Sequence, residues 1–260
     1  LYDTLTEYPQ LRHVLVRHEQ AAAHAAEGYA RVTGKPGVCF ATSGPGATNL
    51  VTGIANAFLD STPVIAVTGQ VATPFIGKDA FQEIDITGIT LPITKHNYLV
   101  SDAASVAQTV KEAFYVARSG RPGPILIDIP KDIQVNPVEF DYSAKLVMPG
   151  YKPTVNGHPT QLKKAAKLIA EAQRPVIIAG HGVIISEAYE ELKELAEKAQ
   201  IPVISTLLGI SSFPGSHILS YGWLGMHGMA YSNKAIDACD LVIAIGMRFD
   251  DRATGKVSGF

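Results

Sequence analysis

The chain has little cysteine, little charge and no long apolar run. Its two cysteines, Cys39 and Cys239, sit far apart in apolar surroundings. They are expected as buried, reduced thiols of a reducing compartment, and no Cys/His spacing suits zinc. Charged residues make up 18% of the 260 residues, with a net charge of −2 and the two signs interspersed. Without a basic run or an aromatic-basic alternation, nucleic acid is not an expected partner. No apolar stretch approaches the ~20 residues of a membrane span and no signal peptide opens the chain, so no membrane association is expected. The opening residue is Leu1, not methionine, and Phe260 follows directly on a motif-rich segment. A fragment of a longer protein is therefore expected.

What is present is a hydrophobic content of 47%. That suits roughly two globular domains of about 100–200 residues each. Short apolar runs alternate with helical stretches. Strands are predicted at 13–16, 38–41, 64–68 and 125–129, and helices at 20–32, 47–59 and 103–119. Strands apolar on both faces belong to parallel sheets covered by helices on both sides, joined by right-handed crossovers. Residues 136–159 break the rhythm with Pro137, Pro149, Pro153 and Pro159, and read as a linker. A second series follows. Its helix at 159–172 carries Leu162, Ala165, Ala166 and Ile169 on one face. Strands are predicted at 176–179, 203–205 and 241–245, and a charged amphipathic helix at 187–199. The fold expected is α/β, with two parallel-sheet domains at 1–140 and 159–260 and a linker at 141–158.

The segment RHEQAAAHAAEGYAR (17–31) carries the most chemical information. Glu19 sits where a buried strand would give way to a helix, and apolar neighbours there would raise its pKa. Such a group can exchange a proton with a heterocyclic nitrogen. An acid favoured by the helix dipole is the alternative. The alanines after it, with Gly28, make a good helix or permit close approach of a helix, a ligand or a second subunit. Ser43-Gly44-Pro45-Gly46 starts like a dinucleotide turn, but Asn49 stands at the third glycine. The next strand also ends Thr68-Gly69-Gln70 without an acid, so a nicotinamide site is rejected. The turn either presents backbone N–H groups to a ligand or is purely structural.

Residues 71–98 form a long irregular stretch that includes Phe81-Gln82-Glu83 and Lys95-His96, and such loops are often functional. Arg121 and Lys131 flank one strand and either face anions at its two ends or are surface bases. Gly246-Met247-Arg248-Phe249-Asp250-Asp251-Arg252 follows a buried strand, where α/β sheets bind ligands. Arg248 and Arg252 neutralise the two aspartates, so phosphate suits the segment better than a metal.

Eight strings together resemble one family. They are RHEQAAAHAAEGYAR, TSGPGATNLVTGIANA, DSTPVIAVTGQV, GKDAFQE, PITKHNYLV, GRPGPILIDIPKDIQ, LGMHG and GMRFDDR. In this order they resemble the large catalytic subunit of acetohydroxyacid (acetolactate) synthases, which are thiamine-diphosphate enzymes. The resemblance implies a domain for the thiamine pyrimidine, then a Rossmann-like middle domain for FAD. A third domain, with Mg²⁺ and the diphosphate, would lie beyond Phe260. It makes Glu19 the catalytic glutamate, which promotes the pyrimidine tautomer that deprotonates the thiazolium carbon. Pyruvate is then decarboxylated, and its two-carbon unit passes to a second 2-oxo acid, pyruvate or 2-oxobutyrate, in branched-chain amino-acid biosynthesis.

The same resemblance assigns Gln82 and Phe81 to cofactor and substrate, Lys131 to the active-site entrance, and Pro45 and Asn49 to the pyrimidine pocket. Ser61 falls near the flavin or the subunit contact. Arg121, Gly180, Gly182, Thr206, Leu207, Leu224, Gly225, Met226, His227, Gly246, Met247, Arg248, Phe249, Asp250 and Arg252 fall on the FAD pattern. That flavin performs no net redox step in this reaction. A homodimer or homotetramer with a small regulatory subunit is implied, in the cytoplasm or in an organelle.

Two departures stand out. Ala72 replaces a usual proline, and no G-D-G motif for Mg²⁺ occurs. The first strand of the pyrimidine domain is expected upstream of Leu1, and the fragment alone is expected to be inactive. The alternatives are a pyruvate oxidase, a flavin-free catabolic acetolactate synthase, or a non-catalytic binding module. LGMHG with residues 248–252 favours the flavin-bearing anabolic enzyme over the catabolic one.

Overall fold

A computed structural model of the chain describes residues 1–139, 141, 143 and 145–260. The domain edge expected at 140 falls on Phe140, which with Tyr142 and Ala144 of the expected linker lies outside the described residues. The chain divides into two compact units, Leu1–Val155 and Asn156–Phe260.

The first unit runs α1 (Tyr2–Leu5), α2 (Glu19–Thr33), β1 (Gly37–Ala41), α3 (Pro45–Asn49), α4 (Val51–Leu59) and β2 (Val64–Gln70). It continues with α5 (Ile86–Thr90), β3 (His96–Leu99), α6 (Val106–Arg118), β4 (Ile125–Pro130) and α7 (Lys131–Val135). The strands are parallel in the order β1-β2-β4-β3. Strand alternation sorts the side chains into two cores. Val64, Ala66 and Leu126 meet α2 and α4 on one face, while Ile65, Val67, Ile125 and Ile127 meet α6 on the other.

Small residues set how closely α2 packs. A Cβ placed on Gly37 of β1 would lie 1.9 Å from the Ala26 carbonyl oxygen, and one on Gly53 of α4 would lie 2.4 Å from the Ala23 Cβ. The close approach allowed by the alanine-rich segment is thus made inside the unit, to a strand and to a helix. The helix starts on a His18 cap, whose Nδ1 accepts from the Gln20 N–H, and ends at Gly34 in the left-handed region.

The second unit runs α8 (Pro159–Glu171), β5 (Pro175–Ala179), α9 (His181–Ile185), α10 (Tyr189–Ala199) and β6 (Val203–Ser205). It then adds β7 (Ser220–Trp223), α11 (Ala230–Ala238), β8 (Leu241–Ile245) and α12 (Asp251–Thr254). These strands are also parallel, in the order β7-β6-β5-β8. Ile177, Ala179 and Val203 pack with Val183, Leu192 and Ala196 of α9 and α10. Val176, Ile178 and Ile204 pack with Ala235 and Ile236 of α11 on the other face.

Several expectations are corrected. Residues 13–16 form no strand; Val14 and Leu15 are exposed. No neighbouring strand pairs with them among the described residues, so nothing rewards an extended ladder there. The expected helix at 47–59 divides at Leu50, whose N–H bonds the Ala47 carbonyl three residues back. The stretch 71–98 is not wholly irregular, since it contains α5 and β3, and β3 pairs with β4. The stripe on α8 is not buried: Leu162 is 60% exposed, and Ile169 in the last turn reaches the core. Periodicity marks an apolar face, not the presence of a cover for it. The helix expected at 187–199 begins at Tyr189, because Glu187 is left-handed (φ 55°). Cys39 is buried in β1 as expected, but Cys239 is only partly buried and follows α11 rather than lying in a strand.

Within the expected linker, Met148 and Tyr151 pack on the α6 side of the first unit. The Lys95 Nζ donates to the Ser119 carbonyl (2.7 Å) and to the Tyr151 hydroxyl (3.3 Å), which ties this segment to the end of α6.

Ile54 is fully buried between α2 and the sheet. Ile54→Ala should cost about 2–5 kcal/mol. Gly37→Val, which drives carbon into the α2 backbone, should cost at least ~2 kcal/mol. Urea unfolding of the chain, followed by circular dichroism, measures both.

Candidate functional site

The carboxyl ends of β1, β2 and β4 gather the polar groups of the first unit. Glu19 is the first residue of α2, and its Oε2 accepts from the Asn49 Nδ2 at 3.0 Å. Between them lies the Ser43-Gly44-Pro45-Gly46 turn. Gly44 caps α3 with φ 63°, and Pro45 takes the first helical position, where its missing N–H costs nothing. A Cβ on Gly46 would come within 3.3 Å of the Glu19 Oε1, so glycine lets the carboxylate lie against the turn.

The expected rise in the Glu19 pKa is corrected. The Asn49 hydrogen bond, and then Glu19's own backbone N–H, hold the carboxyl below its usual range. In this single chain the group is half-buried, so desolvation does not prevail.

Gln82 joins the cluster from the loop that follows β2. It has φ 60°, and a Cβ on Gly44 would meet the Gln82 carbonyl oxygen at 2.8 Å. The loop thus rests on the glycine turn, and Gly44 has no side chain to hold it away. Phe81 beside it is 88% exposed. Lys131 opens α7 immediately after β4 and is exposed. Its neighbour Asp132 accepts from the Thr73 N–H (2.9 Å) and hydroxyl (3.1 Å), which fixes the segment after Ala72.

Two polar residues absent from the sequence-based set, Asp128 and Gln70, underlie this region, and a third, Glu27, lies further along α2. Asp128 of β4 is buried and accepts from the Thr68 hydroxyl (2.7 Å) and the Gln70 Nε2 (2.9 Å). Gln70 also donates to the Ile84 carbonyl at 2.8 Å, which anchors the far end of the loop. Burial pushes the Asp128 carboxyl up to about 6 against those two hydrogen bonds, with Asp85 adding to the rise. Glu27, one turn from the end of the alanine-rich run, is buried as well. Its carboxylate accepts from Arg31 (2.6 Å) and Asn56 (2.7 Å), which hold it ionised below the usual range despite desolvation. An acid four residues before an arginine is a readable helix pair. The partner Asn56 lies on another helix and is not readable from spacing.

Ser61 and Arg121 come together at the opposite end of the sheet, ahead of β2 and β4. The Arg121 Nε donates to the Ser61 Oγ at 2.7 Å. Ser61 is left-handed, with φ 59°. These two therefore do not share the Glu19 cluster, and Arg121 and Lys131 mark the two ends of β4.

In the second unit, the residues singled out lie at the carboxyl ends of β5, β6, β7 and β8, where parallel sheets bind ligands. Gly180 and Gly182 pack directly on Gly246; a Cβ on Gly182 would lie 2.6 Å from the Gly246 Cα. The glycines of this crevice are thus taken up by one another. Thr206 bonds the Ala179 carbonyl through its N–H and caps the turn at Leu207. A Cβ on Gly225 would meet the Arg252 carbonyl oxygen at 2.3 Å, so residues 224–227 lie against 252. Leu224 is buried, while Leu207, Met226, His227 and Phe249 are exposed around the crevice. Met247 packs in the core below. Arg248 pairs with Asp250 (3.3 Å), and Asp250 caps α12 through the Ala253 N–H (2.9 Å). Arg252 lies 3.8 Å from Asp251. Among the described residues no group of His, Cys, Asp and Glu could hold a metal ion.

Two family descriptions match the chain. Residues 1–89 match "Thiamine pyrophosphate enzyme, N-terminal TPP binding domain", and residues 162–260 match "Thiamine pyrophosphate enzyme, central domain". All of the chain aligns with several curated relatives. It is 56% identical over 262 residues to the "Probable acetolactate synthase large subunit" of Methanocaldococcus jannaschii, covering 44% of that protein. It is 55% identical over 260 residues to the "Acetolactate synthase" of Mycobacterium leprae and 54% to the "Acetolactate synthase large subunit" of Corynebacterium glutamicum, covering 42% of each. The chain thus spans less than half the length of these relatives.

Asp128 generates a pH prediction. Its folded-state pKa lies above the ordinary aspartate value, so its contribution is fully present below that value and is lost as pH rises towards about 6. Across that window, native Asp128 should weaken the fold by up to ~3 kcal/mol relative to Asp128→Asn. Urea midpoints of both proteins from pH 4 to pH 7 measure the difference. A pH-independent difference would rule the assignment out.

Proposed function

The chain belongs to the thiamine pyrophosphate enzymes, and on that footing we propose that it is the N-terminal and middle part of an acetolactate synthase large subunit. The observation that carries the proposal is the carboxylate of Glu19, oriented by Asn49 against the glycine turn at the carboxyl end of β1. The residues present fit the pyrimidine of thiamine diphosphate. A fixed carboxylate, held by Asn49 beside the turn, offers a ring nitrogen its proton partner, and the glycines of the turn give their space to Gln82, Thr42 and Glu19 itself. When bound, the cofactor supplies the nucleophilic carbon and the electron sink for decarboxylating pyruvate.

Glu19 holds or accepts a proton at a ring nitrogen. Asn49 keeps its second oxygen engaged, so the first is the one presented. Covering the site with the ring and a second subunit would exclude water and raise the Glu19 pKa towards the value a proton exchanger needs. Gln82 and Phe81 close one side of the pocket, and Lys131 offers a cation to the carboxylate of pyruvate or 2-oxobutyrate at the entrance. Mg²⁺ and the diphosphate contacts belong to the part of the whole enzyme that this chain does not span.

The second unit reads as the FAD-binding middle domain. Exposed Leu207, Met226 and Phe249 offer an apolar rim at the strand ends, and Arg248 offers a cation for phosphate. The flavin would serve structure and not turnover. The free thiols suit a reducing compartment, here the cytoplasm. A homo-oligomer with a regulatory subunit completes the reading.

In the whole enzyme, Glu19→Gln should slow exchange of the thiamine C2 proton at least ~100-fold, followed by NMR after dilution into D₂O. Unchanged exchange would remove Glu19 from its role. This chain alone should form no acetolactate from pyruvate. Flavin absorbance retained in full by Arg248→Ala would count against the FAD assignment.

A further inference from the structure

The acid next to Gln82 has no part in the chemistry above, yet it organises the loop that carries Gln82. The Glu83 carboxylate turns back on its own loop. It accepts backbone N–H groups from Gly77, from Lys78 (3.3 Å) and from Ala80 (2.9 Å). Those bonds hold its carboxyl below the usual glutamate range, the Ala80 bond most strongly and then that of Gly77. Three residues of this short loop sit in the left-handed region: Gly77, Asp79 and Gln82. Asp79 and Gln82 are not glycine, so the conformation persists only where the surroundings over-determine it. A carboxylate that gathers successive loop amides is such a constraint. The loop then meets Gly44 with no room to spare.

We propose that Glu83 is a positioning residue for the reaction, whose carboxylate clamps three loop amides and thereby seats Gln82 on the glycine turn beside Glu19. Asp128 and Gln70 anchor the end of the loop at Ile84, but they touch neither the three amides nor Gln82 directly. Glu83 therefore sets the shape of the loop and Gln70 its attachment. The clamp is a property of this chain, while its effect on turnover rests on the reading of Gln82 as a site residue.

The test has two arms. In this chain, Glu83→Gln should speed hydrogen exchange at the Gly77, Lys78 and Ala80 amides at least tenfold, with the amides of β1, β2 and β4 unchanged. Unchanged exchange at those three amides would overturn the clamp. In the whole enzyme, Glu83→Gln and Gln82→Ala should each lower kcat at least tenfold, and the double variant should fall no further than the worse single one. Independent, multiplying losses would overturn the positioning role. Gly44→Ala guards against a variant that merely fails to fold. It should displace Gln82 and lower kcat while leaving the three amides protected, and wild-type kcat in it would also count against the proposal. If Gln82→Ala alone leaves kcat intact while the clamp is present, the reading of Gln82 fails and the positioning role fails with it, whereas the clamp stands.

Discussion

The first unit depends on how closely α2 lies against β1 and α4. Gly37 and Gly53 remove the two side chains that would hold the helix away, and Ala23 and Ala26 occupy the space. Close-packed interiors transmit such constraints, because neither helix nor strand can shift without opening a void. Glu19 is the first residue of that helix. Its height above the carboxyl end of β1 is therefore set by a backbone contact two turns further along.

A polar device holds the same packing from the other end. The buried Glu27 is bonded to Arg31 on its own helix and to Asn56 on α4, and Arg31 in turn reaches Asp60. A buried carboxylate without such partners would be strongly destabilising, so the network fixes the register of α2 against α4 as well as their distance. Together these contacts account for an alanine-rich helix that keeps charges in its middle. Where α3 and α4 go, Asn49 goes, and the hydrogen bond that orients Glu19 follows.

The second unit uses the same logic without a charged pin. Gly180, Gly182 and Gly246 let the turns after β5 and β8 interlock, and the Gly180 N–H donates to the Ile245 carbonyl at 2.8 Å. Glycines in such turns are readily taken for a phosphate cradle. Here they serve backbone packing first, and binding would fall to the exposed side chains around them.

The amino-acid sequence by itself determined the alternation of strands and helices and the parallel character of both sheets. Each of these rests on local periodicity and on turn chemistry, which neighbouring residues encode. The strings that mark the family were legible for the same reason. Tertiary structure alone decided that residues 13–16 stay unpaired, that α8 leaves Leu162 exposed, and that β3 lies within the stretch 71–98. It also separated Ser61 and Arg121 from Glu19 by the length of a sheet, and lowered the pKa of Glu19 where sequence suggested a rise. Pairing, burial and proton affinity depend on groups brought together from distant parts of the chain. Asn49 lies 30 residues from Glu19 and Asn56 lies 29 from Glu27, and no local pattern records either meeting.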